Sequence, residues 1–190
     1  LTWIIIGFVL LVAFGPVFWL LPSKRDRRLS ALRQKALTQG LVVELRRLPK
    51  LNPEPGERVS AGGKIRKPVI ECAAYLWNMT DKLRFLPEVR ILRGTHGTPA
   101  LPGWVFDPER KPRRDHLEEL LKTLANYTET FPGDVIGIEI SERQLTCYWR
   151  ESPGSGVELV TTMATNLQRL GEDLHGVDEG LESDYLGPDS

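Results

Sequence analysis

The sequence predicts an α+β chain: one N-terminal transmembrane helix, followed by a cytoplasmic domain with a mostly antiparallel sheet and two helices. Three observations carry this. Residues 1–21 hold no charged side chain, and at ~1.5 Å rise per residue such a helix is roughly 30 Å long, the thickness of a bilayer's hydrocarbon core. Beyond it, short β-branched runs alternate with turn residues. Two later stretches change to a 3.6-residue apolar period.

Taken in order, residues 1–22 form the expected span. Trp3 and Trp19 stand near its opposite ends, where indole rings favour the headgroup layer, and Pro22 closes it. Gly15-Pro16 is expected to bend the helix, and Gly7 with Gly15 to offer small-residue contacts to lipid or a neighbouring helix. The run is longer than a signal peptide's apolar core, and no cation precedes it, so it is expected to stay in the mature chain.

Residues 23–40 form a basic juxtamembrane helix, with Leu29, Leu32, Ala36 and Leu37 on one stripe and Gly40 ending it. Lys24, Arg25, Arg27 and Arg28 lead it. From Lys24 to Lys50 nine Lys or Arg face only Asp26 and Glu44, and cations so close to a span favour the cytoplasmic side. The expectation is a bacterial inner-membrane protein with its N-terminus periplasmic and its C-terminal domain cytoplasmic. The same cations are suited to anionic membrane lipids.

Residues 41–171 form the expected α+β domain. LVVELRRL, Leu41 to Leu48, reads as a strand running into the breaker-rich Pro49 to Glu57. Pro68 to Met79, Leu83 to Arg93 and Gly103 to Phe106 read as strands of a meander, with Asn78 to Lys82 as a hairpin turn. Pro87 demotes part of the second to an edge or bulge. Asp115 to Thr128 is a helix on the stripe Leu117, Leu120, Leu121, Leu124, with Asp115 and Glu118 at capping-box spacing. DVIGIEI and QLTCYWR form a hairpin about Ser141-Glu142-Arg143. Val157, Val160, Ala164, Leu167 and Leu170 mark a final helix. Residues 172–190, acidic and punctuated by glycine, read as a flexible tail.

Chemistry is sparse in this pattern. Cys72 and Cys147 lie far apart, which suits core thiols and offers no zinc cage. Ser60-Ala61-Gly62-Gly63-Lys64 lacks the spacing and following helix of a phosphate loop. Glu118 and Glu119, adjacent on a helix, point in different directions. His96, in a loop between Arg93 and Pro99, is the one candidate general base, with no nucleophile motif beside it. No catalytic set, cofactor, metal, small-molecule substrate or nucleic acid is expected. Trp77, Trp104 and Trp149 either fill the core or, with Arg84 and Arg150, line a face for a protein partner.

Two stretches carry a resemblance. The span leading into PSKRDRRLSALRQKAL, and PGERVSAGGKIRKPV with Gly56, Glu57, Val59, Gly62 and Gly63, are similar to the YajC family, single-pass accessory proteins of the bacterial Sec translocon. The resemblance implies a bacterial inner membrane and association with protein export. The resulting expectation is a membrane-anchored accessory or protein-binding subunit of a larger inner-membrane complex, in contact with lipid and with other subunits. The alternatives are a membrane-tethered enzyme with a site around His96 and a lipid-surface binding protein.

Overall fold

A computed structural model describes residues 3, 7, 23–59, 62–110 and 112–186. Helix α1 (Lys24–Thr38) opens with a reciprocal capping box, Ser23 accepting from the Asp26 amide while the Asp26 carboxylate accepts from the Ser23 amide. Then come β1 (Val42–Pro49), a 3-10 turn at Pro55–Arg58, β2 (Val69–Asn78), β3 (Val89–Arg93), β4 (Pro99–Leu101), β5 (Trp104–Phe106), α2 (Leu117–Thr128), β6 (Val135–Ser141), β7 (Gln144–Trp149) and α3 (Val157–Leu186). The seven strands form one antiparallel sheet in the order β1-β2-β7-β6-β3-β5-β4.

The period-2 alternation of the strands sends Ala73, Tyr75, Ile91, Ile138, Ile140, Cys147 and Trp149 to one face. There they bury against Leu32 and Ala36 of α1, Leu120 and Leu124 of α2, and Val160, Met163, Leu167, Leu170 and Leu174 of α3. All three helices therefore cover the same face. The opposite face holds a smaller apolar cluster, with Leu48, Cys72, Ala74, Leu76, Leu92, Val105 and Tyr148.

The expected fold class is corrected on several points. Among the described residues no helix is long and apolar enough to cross a membrane, and the architecture is a seven-stranded antiparallel sheet with three helices on one face. The span expected over residues 1–22 lies outside the described residues, apart from Trp3 and Gly7, which are helical and exposed. The helix expected as a separate juxtamembrane element, α1, is a core element of the domain: Leu32 and Ala36 are fully buried, and its charges point to solvent or clasp the β7–α3 turn.

The expected meander is also corrected. β2 and β3 are separated by β7 and β6. The segment between them passes across the β6–β7 hairpin, where Met79 donates to Arg143 O (2.9 Å) and Leu83 to Glu142 O (2.8 Å). Leu83 to Leu86 is not strand, because the Asp178 carboxylate accepts the amides of Arg84, Phe85 and Leu86 at 2.8 to 2.9 Å. At α2 the Asp115–Glu118 box does not form; His116 caps the helix in the left-handed region (φ 54°).

The expected loose tail is helix as far as Leu186. The apolar stripe of α3 continues through Leu174, Val177 and Leu181, and Gly171 serves packing where the sequence suggested a stop. A Cβ there would lie 2.3 Å from Trp77 Cζ3, so glycine alone lets the indole rest on the helix.

Candidate interaction surface

The aromatic residues do not gather on one exposed face. Trp149 and Trp104 are 0% and 3% exposed beneath the helices. Tyr75 meets Trp149 edge-on (centroids 5.4 Å apart), Arg93 lies 4.6 Å over the Trp104 ring, and Trp77 is half-buried against Gly171. Arg84 is paired with Glu182 at 2.9 Å on the surface, and Arg150 is exposed at the C-terminal end of β7. Burial follows from alternation: Tyr75, Trp77 and Trp149 share the parity of the helix-facing positions.

The basic residues of α1 divide in two. Lys24, Arg25 and Arg27 are exposed. Arg28 donates to Ser152 O and to Glu151 O (3.0 Å), and Arg33 meets Glu151 Oε2 at 3.2 Å. Glu151 is 8% exposed, with φ 52°, and also accepts from Tyr75 Oη at 2.8 Å. This clasp ties α1 to the sheet, and burial next to the Glu151 carboxylate pushes the Tyr75 phenol far above its ordinary range. Gly15, Pro16 and Trp19 lie outside the described residues.

On the helix-free face, sequence reasoning missed a buried ionic cluster. Arg90 bridges Asp107 (3.0 Å) and Glu139 (3.2 Å), and Glu139 also takes Arg110 and the Tyr148 hydroxyl. Burial and the Glu139 carboxylate raise the Tyr148 phenol well above normal. The two buried carboxylates are balanced by Arg90, which is buried with them, and by Arg110, which reaches in from the half-exposed rim. The signal was a charge within each of two otherwise apolar strands, Arg90 in VRILR and Glu139 in VIGIEIS. Beside the cluster lies a cleft of about 650 Å³, bordered by Lys50, His96, Asp107, Arg110 and Arg114. His96 is exposed at its rim, its ring nitrogen 3.4 Å from Thr95 Oγ1. Among the described residues no group of His, Cys, Asp or Glu is arranged to hold a metal ion.

The two sheet edges are treated differently. β4 has three residues, begins with Pro99 and shifts register against β5, the usual protection of an edge. β1 is eight residues long and, among the described residues, pairs on one side only, Val42↔Leu76 through Pro49↔Val69. Lys50 extends that register by donating to Pro68 O at 2.9 Å. Donors alternate along an antiparallel ladder, so even-numbered β1 residues turn their amides and carbonyls toward β2, while Val43, Leu45 and Arg47 turn theirs outward. Pro49 falls on the outward parity, where its missing N–H costs the β1–β2 ladder nothing. Beside this free edge Leu45 is 75% and Val42 43% exposed, and Leu37 of α1 is exposed too. An open ladder flanked by apolar side chains is the template on which another chain adds a strand.

No family model, curated protein or solved structure matches this chain.

Proposed function

We propose that the chain is an accessory, protein-binding subunit, and that β1 is where another polypeptide docks as an added strand. The observation that carries this is the outward-facing ladder of Val43, Leu45 and Arg47 with the exposed Leu45 side chain above it. Its main-chain donors and acceptors supply affinity, and Leu45 and Val42 supply apolar contact. Asp107, the carboxylate that borders the cleft with His96, is held by Arg90, which favours binding over general acid–base chemistry at that cleft. The resemblance of the Pro55 to Val69 segment to the YajC family extends the proposal to an accessory role in bacterial protein export at the inner membrane.

The test is affinity capture with the full chain, wild type against Leu45→Pro. Proline at this outward parity removes an edge donor while sparing the bonds to β2. Loss of the bound protein, with the melting temperature held within a few degrees, is expected. Undiminished capture by Leu45→Pro would overturn the proposal.

A further inference from the structure

Resting on that reading of β1, we infer that the polypeptide adding the strand is a second copy of this chain, paired antiparallel about a twofold axis at Leu45. The charge pattern selects this register. In the single chain Glu44 and Arg46 stand on the same side of the sheet, and Arg46 Nε and Nη2 lie 2.9 and 2.7 Å from Glu44 Oε2. Charged side chains in an edge strand normally repel an incoming strand. In a twofold pairing centred on Leu45, residues whose numbers sum to ninety oppose each other, so Glu44 faces Arg46 of the second copy and Arg46 faces its Glu44. The charges that guard the edge become two cross-strand ion pairs.

The hydrogen-bond parity agrees independently. Leu45 turns its amide and carbonyl outward, so Leu45 against Leu45 is a pair that exchanges both bonds. Val43 and Arg47, also outward-facing, oppose each other in the next such pairs. Glu44 and Arg46 then fall at non-hydrogen-bonded pairs, where cross-strand side chains approach most closely. Val42 opposes Leu48, an apolar match. Arg47 keeps its own partner, Glu71 on β2 at 2.8 Å, so its charge is already balanced when it meets Val43. The exposed Leu45 lies at the axis, against its own counterpart. A shift of one residue would set side chains on opposite faces against each other, and a shift of two would face like charges.

The test uses the full chain in sedimentation velocity, with Leu45→Cys as a cross-linking probe. Wild type is expected to dimerise reversibly. Glu44→Arg and Arg46→Glu, both at exposed positions, should each weaken the dimer by about tenfold or more by placing like charges opposite one another. An equimolar mixture of these two variants should regain the dimer, because each then faces its complement, and so should the double exchange. Leu45→Cys should form a disulfide-linked dimer under mild copper-catalysed oxidation, since residue 45 opposes itself while Cys72 and Cys147 are buried. A monomer at all concentrations, or single variants that dimerise like wild type, would overturn self-pairing. A monomeric chain that still loses a different protein on Leu45→Pro overturns self-pairing alone, whereas a dimer indifferent to every β1 variant overturns the role of the edge as well.

Discussion

Asp178→Ala should unpin the β2–β3 connection from α3. The Asp178 carboxylate, 6% exposed, accepts the Arg84 amide through Oδ2 (2.8 Å) and the Phe85 and Leu86 amides through Oδ1 (2.9 Å each). At about 1 kcal/mol net per hydrogen bond, the alanine variant loses about 3 kcal/mol. In a domain of this size, that lowers the melting temperature by about 6 to 12 °C. Asp178→Asn keeps the Oδ1 acceptor and loses the Arg84 bond, so its cost is about 1 kcal/mol, with some further loss of charge assistance. The neighbouring Arg84–Glu182 pair is exposed and compensates little. Urea denaturation gives the stability, and amide hydrogen exchange gives the location: protection should fall first at residues 84 to 86 while β6 and β7 hold. An alanine variant within about 1 kcal/mol of wild type, with those three amides still protected, would refute the reasoning.

Two glycines of α3 should respond to alanine with opposite signs in urea denaturation. Gly171→Ala drives a methyl into Trp77, and overpacking outweighs the helical gain for a net loss of about 1 kcal/mol. A Cβ at Gly176 meets nothing within 4 Å, so Gly176→Ala should stabilise by about 1 kcal/mol. Asp134 should contribute to acid lability. Burial works to raise its carboxyl, but donors around it, among them Ser155 Oγ (2.9 Å) and the Ser152 amide (3.2 Å), outweigh that and hold it below the ordinary 3.8. Its contribution is complete above that value and is lost as pH falls through the lowered one, so Asp134→Asn should flatten the acid limb of a stability profile. The thiols should resist alkylation near neutral pH, since burial raises Cys72 to about 11 and Cys147 further still. Rapid modification of the folded chain by iodoacetamide would contradict this. The Cys72 shift also predicts stability lost as pH climbs from 9 toward that value, checked by comparing wild type with Cys72→Ala.

Local pattern alone located most elements. The runs at β1, β2, β5, β6 and β7 and the helices α1 and α2 were legible because alternation and the 3.6-residue period report which side of an element meets apolar surroundings. The β6–β7 hairpin was legible because its turn is short and its partners are adjacent in sequence. Strand order was not. β2 looked like the hairpin neighbour of β3, yet β7, some seventy residues further on, lies beside it. The length of α3 was hidden for a related reason: Gly171 reads as a stop until Trp77, from a distant strand, is seen to require it.

The same division holds at the surface. Trp77, Trp104 and Trp149 were ambiguous between core and partner face, and only the helices above them decided for the core. The Arg90–Asp107–Glu139–Arg110 cluster joins residues from three separate parts of the chain, β3, the turn after β5 and β6. VVELRRLP was readable as a strand, but whether it was central or at an edge depended on what lay beside it. By itself the sequence determined the α+β character and the apolar faces of the elements, because these depend on the order of residues within about a dozen positions. Tertiary structure decided which faces were covered and that β1 is an edge among the described strands, because burial and pairing are settled by groups that meet only when the chain closes over long loops.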